Sequence, residues 1–497
     1  MKARDSLPAL SMPALPHLRV QPLTVRHSAV RHLALRFLAA SLLTACGSAP
    51  PVMLKPSVPA LPAHFSQAAP ESALVEPADR FWRRFNDTEL DRLVLAALSA
   101  NTDLRAAAAR LQEARALQRL AGVADLPTVG ALASAGRART PDGRGNASSA
   151  SSANTLGAGL EVRWEADLFK RRDDEKQAAN ADTLASAALL QAARLAVAGD
   201  VARAYFELRG AQERLRVAQD TLVTQQESLK LVAARLEAGR GTGLDTERAR
   251  ALVLGTEATL PALQLQITLT QQRLAVLQGL PPHTSDARLA SPQPLPGLQA
   301  QPLSAVGSPQ NLLRRRPDLQ AAEQQALAAA ARVGVAYKAR WPSLSLQGSL
   351  GLSAGRLADI SNGASFLYSL GASLAYTLFD NGSQAALTDA AQARQLAAVV
   401  AYEGAVLLAL QETEAALATY TQLQQQAQSL FAAAQSADKA AAIARARFGA
   451  GLSDFLAVLD AERESLAARD RLASAQTAAA LSVVGVYKAL AGGVDGP

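Results

Sequence analysis

Apolar residues recur at every second position in short segments of the chain. In residues 343–353 and 365–379, leucine and aromatic residues alternate with serine, glycine and alanine. This is the period of a β-strand that has one face in an apolar medium. Two similar segments are predicted at 128–138 and 156–168, joined by a polar loop that starts at Pro141. The pattern therefore predicts four strands in two pairs.

The rest of the chain is dominated by long helical stretches. No proline lies between Pro141 and Pro261 or beyond Pro342 before the final residue. The sequence predicts helices over 171–237 and 383–447, each roughly 100 Å long at about 1.5 Å per residue. Each ends at a glycine-containing turn, and a second helix returns, near 245–278 and 453–490. Helices of this length have to pack sideways against other long helices.

The chain contains two copies of one unit. Asp103-Leu104 matches Asp318-Leu319 and Pro127 matches Pro342, both at an offset of 215. Arg235-Leu236-Glu237-Ala238-Gly239 matches Arg447-Phe448-Gly449-Ala450-Gly451 at an offset of 212. Each unit is predicted to contain a helix of roughly 35 residues that ends at the matched proline, then two strands, then the long helical pair. The sequence thus predicts repeats at 81–280 and 310–490.

The remaining segments connect or tether these repeats. Residues 281–309 are rich in proline and polar residues and predict an irregular equatorial linker. Residues 46–80 contain many prolines and predict an extended N-terminal tether, and residues 491–497 form a tail. Residues 1–45 combine basic residues with a short apolar run and small residues at its end, which is typical of a signal peptide.

Cys46, the only cysteine, stands where this signal peptide should end. The sequence Leu43-Thr44-Ala45-Cys46-Gly47 is similar to a bacterial lipobox, in which the cysteine is acylated and becomes the new N-terminus. We therefore predict that Cys46 carries an N-palmitoyl group and an S-diacylglycerol group as covalent lipid. Gly47, where inner-membrane lipoproteins have aspartate, resembles the sorting pattern for the outer membrane.

Composition excludes several classes of function. The net charge of +7 comes mostly from the leader, so nothing indicates nucleic-acid binding. A single cysteine excludes an internal disulfide and a thiolate metal cluster. The five histidines lie in the leader and in proline-rich segments, and no nucleophile, phosphate-binding or metal motif is present. We expect no catalytic residue, no metal and no other cofactor, and hence no enzyme. No uninterrupted apolar run reaches 18 residues, so no transmembrane helix is expected and a membrane-spanning part has to be a β-barrel.

An ordered set of short motifs runs through the chain. The motifs are Phe81-Trp82-Arg83-Arg84-Phe85-Asn86-Asp87, Asn101-Thr102-Asp103-Leu104, Arg314-Arg315-Arg316-Pro317-Asp318-Leu319, Trp341-Pro342, Leu378-Phe379-Asp380-Asn381-Gly382 and Leu459-Asp460-Ala461-Glu462. No single motif is specific, but the order of the whole set over residues 43–490 is highly specific. This set resembles the TolC-like outer-membrane factor family, in particular its NodT-type lipoprotein branch.

The resemblance implies a mainly α-helical fold with a membrane β-barrel. A homotrimer would close a twelve-stranded barrel in the Gram-negative outer membrane, each protomer giving four strands, and would build a long helical tunnel across the periplasm. The residue pattern agrees, because four short strands do not close a barrel alone and small barrels start at about eight strands.

The resemblance also implies a periplasmic gate on the second returning helix. Carried over to this sequence, Leu456 and Asp460 would form an apolar and an acidic ring that constrict the tunnel, and Arg463 would tether them. Asp245 and Asp460 each follow an apolar residue just after a glycine turn, and the alternative for both is an acidic residue of a first helical turn, favoured there by the helix dipole. Asp245 and Glu462 are the next candidates for the gate.

The glycine turns at the helix ends are the expected docking site of a periplasmic adaptor protein. Within 235–244 and 447–455 we select Gly239, Leu244, Gly451 and Leu452. The family implies an adaptor of the membrane-fusion type and an inner-membrane transporter of the resistance-nodulation-division (RND) type as partners.

These features favour a passive outer-membrane duct of a tripartite efflux system, conducting drugs, metals or other small molecules. Two alternatives remain at this point. One is the exit duct of a type I protein secretion system. The other is a structural periplasmic coiled-coil lipoprotein, against which the alternating strands argue. The exported substrate and the particular partners are not readable from the sequence.

Overall fold

The computed structural model describes residues 54, 60–67, 80–140, 151–284, 286–293, 295, 306–360 and 365–491. All of them belong to one compact unit that begins at Met53. The predicted signal peptide and Cys46 lie outside the described residues, as do most of the predicted tether and the tip of the loop at 141–150.

The first repeat follows a short 3₁₀ helix, Phe81–Phe85, whose first two side chains are fully buried. Asp87 caps the next helix, accepting hydrogen bonds from the backbone N–H groups of Glu89 and Leu90. The elements are α1 (Thr88–Ala100), α2 (Thr102–Val123), β1 (Thr128–Thr140), β2 (Ser151–Ala166), α3 (Arg171–Glu237), α4 (Gly243–Glu257) and α5 (Leu260–Leu277).

The second repeat has the same order of elements. A four-residue helix, α6 (Ala287–Ala290), lies in the connector before it. The repeat consists of α7 (Pro309–Arg315), α8 (Pro317–Lys338), β3 (Ser343–Ala354), β4 (Phe366–Ala375), α9 (Ser383–Gly449) and α10 (Phe455–Ala489), with a 3₁₀ turn at Leu357–Asp359 between the strands. The prediction of two long helices, each followed by a returning helix, is confirmed.

The prediction of one 35-residue helix before each strand pair is wrong. Two helices stand there in each repeat, and they break at Asn101 in the first and at Arg316 in the second. The side chains of Asn101 and Arg316 each donate a hydrogen bond to the end of a returning helix in the same repeat. Asn101 Nδ2 donates to the carbonyl of Leu277 at 2.9 Å, and the Arg316 guanidinium donates to the carbonyl of Ala489 at 3.3 Å. The break satisfies carbonyl groups that a helix end leaves without a partner.

The first returning helix is also divided, contrary to the prediction of one helix over 245–278. It breaks at Ala258 and Thr259, two residues before Pro261. Proline lacks a backbone N–H and its ring clashes with the preceding helical turn, so a proline is tolerated only near a helix start. The second returning helix has no proline and runs unbroken over 35 residues.

The four strands form one antiparallel sheet in the order β1-β2-β3-β4. Its register places mainly apolar side chains in rows across one face, and mainly small or polar side chains, with Leu132 and Leu367 as exceptions, across the other. One apolar row consists of Ala131, Leu160, Leu350 and Tyr368. The adjacent row on the opposite face consists of Gly130, Glu161, Ser349 and Ser369. The predicted alternation is therefore confirmed in three dimensions.

The last strand is shorter than predicted. It ends at Ala375 rather than at 379, because Ala375 pairs with Ser343, the first residue of β3. Beyond this pair β3 offers no backbone groups, so the alternating residues Tyr376 and Leu378 continue outside the sheet.

The helices pack around the waist of the molecule. A cluster of buried residues joins the 3₁₀ helix and α1 to the middle of α3 and the end of α10. Within it Phe81 stacks on Tyr487 with ring centroids 5.7 Å apart. The Tyr205 hydroxyl donates to Asp87 at 2.5 Å, and burial together with this bond raises the pKa of Tyr205 to about 12.

Helices α3 and α9 each contain an 18-residue stretch that is long and apolar enough to cross a membrane. The expectation of no such helix rested on uninterrupted apolar runs, and neither stretch is uninterrupted. Stretches of this kind also occur in the core helices of soluble proteins. In this chain α3 packs on α8, α2, α5 and α10, and α9 packs on α10 and α8.

Candidate functional site

The two returning helices, α4 and α10, start in the same way. Thr242 caps α4 and Asp454 caps α10, each accepting a hydrogen bond from a backbone N–H three residues on. The two caps are related by the repeat offset of 212. Residues at equal distances from the caps therefore lie at equal heights on two parallel helices.

The turns that precede these caps contain three of the predicted tip residues, the two glycines and Leu452. Gly239 has φ +68° and Gly451 has φ +74°, the left-handed conformation that glycine adopts at low cost after a helix end. Leu244 and Leu452 are 59% and 69% exposed. All four selected tip residues therefore lie at the same end of the described molecule, and two apolar side chains there are uncovered in a single chain.

Arg235 joins the two tips, a feature that sequence analysis missed. Its guanidinium donates to the carbonyls of Phe448 and Gly449 at 2.8 and 3.1 Å and lies 4.1 Å from the centroid of the Phe448 ring. Phe448 in turn packs on Phe455, with ring centroids 5.4 Å apart. The end of the first hairpin is thus fastened to the end of the second. The match between Arg235 and Arg447 in the repeat did not indicate this link between the tips. Among the described residues, Arg235 binds the backbone of the other tip and Arg447 makes no equivalent contact.

The predicted gate residues Leu456, Asp460 and Arg463 lie on one face of α10. Their spacing of four and three residues places them on successive turns, and all three are exposed in the single chain. They line a groove of about 1150 Å³ together with residues of α3, α4 and α5. The structure therefore brings the three together on a concave surface.

One ion pair crosses this groove. Arg214 on α3 binds Asp470 on α10 through two contacts, Nε to Oδ1 at 2.7 Å and the terminal nitrogen to Oδ2 at 3.3 Å. Asp460 and Arg463 form no ion pair within 4 Å among the described residues of one chain. The gate role of Asp460 and the tether role of Arg463 stay predictions.

The two alternative acidic residues are placed differently. Asp245 closes a reciprocal cap with Thr242, whose hydroxyl donates to its carboxylate at 2.7 Å, so its position in a first helical turn accounts for it. Glu462 is only 3% exposed and faces away from the groove, where Ser228 donates to it at 2.8 Å and Arg445 approaches to 3.6 Å. Burial raises the pKa of the Glu462 carboxyl above its ordinary value.

Sequence analysis also did not select Arg248 of α4, which lines the same groove as Asp460. The signal that would have found it is the repeat register itself. Adding the offset of 212 to residue 248 leads to residue 460, so an arginine and an aspartate occupy equivalent positions in the two repeats.

A sheet with one apolar face joined to helical hairpins of this length defines an outer-membrane channel of the TolC-like fold. The solved structure of the outer-membrane channel OprN is similar to this chain, with a TM-score of 0.82, 35% sequence identity and coverage of 89% of this chain and 99% of OprN. The outer membrane protein OprJ of Pseudomonas aeruginosa is 34% identical over 91% of this chain and 94% of its own length. The pyoverdine export outer membrane protein OpmQ of Pseudomonas putida is 34% identical over 91% of this chain and 95% of its own length.

The profile of the family described as outer membrane efflux protein matches residues 93–280 and 308–492. The chain belongs to this family. It is an efflux channel of the Gram-negative outer membrane and has a TolC-like fold. Members of the family act as channels.

Proposed function

We propose that this protein is the homotrimeric exit duct of a tripartite efflux system of the RND type. It would accept small molecules from an inner-membrane transporter through a periplasmic adaptor and conduct them passively to the exterior, without a catalytic step. The observation that carries the proposal is the four-stranded sheet, with one apolar face and two strand edges without partners among the residues described.

The sheet requires copies of itself in a membrane. In a bilayer core every backbone N–H and C=O group has to be hydrogen-bonded within the protein, so the free edges of β1 and β4 have to pair. The apolar face is uncovered, and Leu370 on it is 88% exposed. Three chains supply twelve strands, which exceeds the eight of the smallest closed barrels. The apolar faces would then contact lipid, and the opposite faces, which are mainly small or polar, would line the lumen.

The helices give the duct its length. At about 1.5 Å per residue, the 67 residues of α3 extend roughly 100 Å away from the sheet. The same holds for α9, which also has 67 residues. With the sheet in the outer membrane, the tips would reach deep into the periplasm, where an adaptor could bind the exposed Leu244 and Leu452.

We place the resting constriction of the duct at Leu456 and Asp460, with Arg463 beside them. Their common face, their exposure and the concave groove that they line support this assignment. Three copies of an acidic side chain in a narrow passage would attract cations and repel one another. A shift of the returning helices would open the passage, and adaptor binding at the tips would favour that shift.

The described part of the N-terminal arm is bound to α9. The carbonyl of Leu54 accepts a hydrogen bond from Gln395 at 2.9 Å, near the sheet end of α9. Farther along the arm, Ser66 donates to Glu414 from its N–H at 2.7 Å and from its hydroxyl at 2.8 Å. Cys46 precedes this arm in the sequence, and its acylation would anchor the protein to the membrane.

Mass measurement of the full-length protein in detergent tests the proposal, combined with conductance in planar bilayers. We expect three chains per particle, β-sheet content that resists heating, and low conductance of the channel alone. A monomer or dimer would contradict the barrel, and a heat-labile helical species confined to the periplasm would favour the structural coiled-coil alternative.

A further inference from the structure

We infer that Arg248 is the counter-charge of Asp460 at the periplasmic constriction, and that the two close the groove between α4 and α10 as an ion pair. The inference rests on the proposed function, because it assigns a partner within the gate. It adds a residue from the first repeat to a constriction that was assigned to the second repeat alone.

The first argument is the height of the two residues along their helices. Arg248 is the sixth residue of α4 and Asp460 is the sixth residue of α10. Both helices start from a capped N-terminus beside the joined tips, and they run in the same direction. Equal positions from equal starting points place the two side chains at the same level of the duct.

The second argument is the packing of these two helices. Ala249, next to Arg248, is 2% exposed and belongs to the same buried cluster as Leu459, next to Asp460. Val458 and Leu252 pack in this cluster as well. The neighbours of both charged residues therefore meet in the helix contact, while Arg248 and Asp460 themselves line the groove beside it.

The third argument is charge. In the single chain neither Arg248 nor Asp460 has an ion-pair partner within 4 Å among the described residues, and they are not paired with each other although both line one concave surface. The ion pair would therefore form only when the trimer closes the groove. The other aspartate of the groove, Asp470, is already bound by Arg214. In a trimer the constriction would contain three arginines alternating with three aspartates. Alternating charges at one level attract, whereas three aspartates alone would repel.

Arg463 is the competing partner, and the repeat argues against it at this level. It lies one turn farther along α10, and the position equivalent to it in the first repeat is Ala251. At the height of Arg463, α4 therefore has alanine rather than a charged residue at the equivalent position. A side chain on the same helix as Asp460 also cannot hold α10 against α4, since it moves with the aspartate.

A charge exchange tests the pairing in full-length trimers reconstituted in planar bilayers. Arg248→Glu alone and Asp460→Arg alone each place like charges opposite each other. We expect each to raise conductance about fivefold or more, in the range of a typical coupling between two states. The double variant Arg248→Glu with Asp460→Arg restores the attraction and should return conductance to the wild-type level. Raising the salt concentration should increase conductance more than in proportion to the concentration in wild type and in the double variant, because salt screens an exposed pair.

Arg250→Glu is the matched control. Arg250 lies on the same helix, is exposed and pairs with Glu247 at 2.7 Å, but it does not line the groove. It should conduct as wild type does. Arg248→Lys keeps the charge and should also remain closed, which covers the case in which a reversed charge prevents assembly.

The outcomes separate the pairing from the gate. If Asp460→Arg leaks and Arg248→Glu does not, the gate stands and the pairing is wrong. If Arg463→Glu, rather than Arg248→Glu, restores closure to Asp460→Arg, Arg463 is the partner and the inference is overturned. If Asp460→Arg assembles as a trimer and stays closed, both the gate and the pairing are wrong.

Discussion

Gly210 of α3 lies against Thr477 of α10 at a distance that leaves no room for a side chain. A β-carbon on residue 210 would lie 2.1 Å from the Thr477 hydroxyl and 2.9 Å from the Thr477 β-carbon. Rotation of Thr477 does not relieve the second contact, because its β-carbon is fixed to the helix backbone. The first repeat therefore packs against the second at the waist only because residue 210 is glycine.

Gly210→Ala should destabilise the protein by about 1–3 kcal/mol through this overlap, although alanine is the better helix former. Thermal or denaturant unfolding of the detergent-solubilised protein measures the effect. Thr477→Gly should rescue it in the double variant. Gly404→Ala is the control, since nothing in the chain lies within 4 Å of a β-carbon there. It should be neutral or stabilising by roughly 0.5–1 kcal/mol, and equal losses in both variants would refute the packing argument.

Leu456→Ala combined with Asp460→Ala should open the duct. The double substitution removes an apolar side chain and a carboxylate from each chain at the proposed constriction. Ion conductance in planar bilayers should rise, and cells should admit large antibiotics that are normally excluded, such as vancomycin. Glu464→Ala serves as control, because Glu464 is on the same helix but exposed outside the groove. A well-expressed, trimeric double variant that leaks no more than wild type would move the gate elsewhere on the returning helices.

Cys46→Ala should block acylation and weaken membrane anchoring, because Cys46 is the only thiol in the chain. Labelling of cells with a fatty-acid analogue measures this directly. We expect reduced rather than abolished efflux, since the barrel and the arm contacts at Gln395 and Glu414 remain. Incorporation of label at the wild-type level would show that the fatty acid is attached at another position and that Cys46 is not the acylated residue.

Glu462 should make stability depend on pH. Burial raises its pKa above the ordinary value of 4.5, so the folded protein holds this proton to higher pH than the unfolded chain does. The free energy of unfolding should therefore fall as pH rises from about 4.5 through the raised pKa. Glu462→Gln should abolish this part of the slope and be at least as stable as wild type at neutral pH, because it removes a buried charge.

Glu464→Gln is the matched control for this experiment. Glu464 lies two residues farther along α10 with a side chain 63% exposed. Unfolding curves measured at several pH values should have the wild-type slope in this variant. A wild-type slope in Glu462→Gln as well would show that Glu462 is ionised alike in both states.

Much of the architecture could be predicted from the sequence because it depends on local rules. The helix from Arg171 to Glu237 has the predicted ends, since a glycine turn after it and the lack of proline within it act within a few residues. The faces of the sheet followed from alternation, because a strand turns successive side chains to opposite sides. The repeat placed Gly239 and Gly451 in equivalent turns.

The helix breaks at Asn101 and Arg316 were decided by tertiary structure. Each is fixed by a carbonyl more than 170 positions away in the chain, at Leu277 and Ala489. No window of sequence around the break contains that carbonyl. Propensity alone favours a continuous helix there, and the bond to a returning helix overrides it.

The sequence by itself determined the class of protein, its repeats and the face of each strand. Only the tertiary structure decided which of two acidic residues, Asp460 and Glu462, faces the groove and which is buried. They are two positions apart on one helix and thus point in different directions. Which direction is interior depends on where Ser228 and the rest of α3 pack, 234 positions away along the chain. Periodicity fixes the angle between two side chains, but only packing against distant segments supplies the surface toward which one of them points.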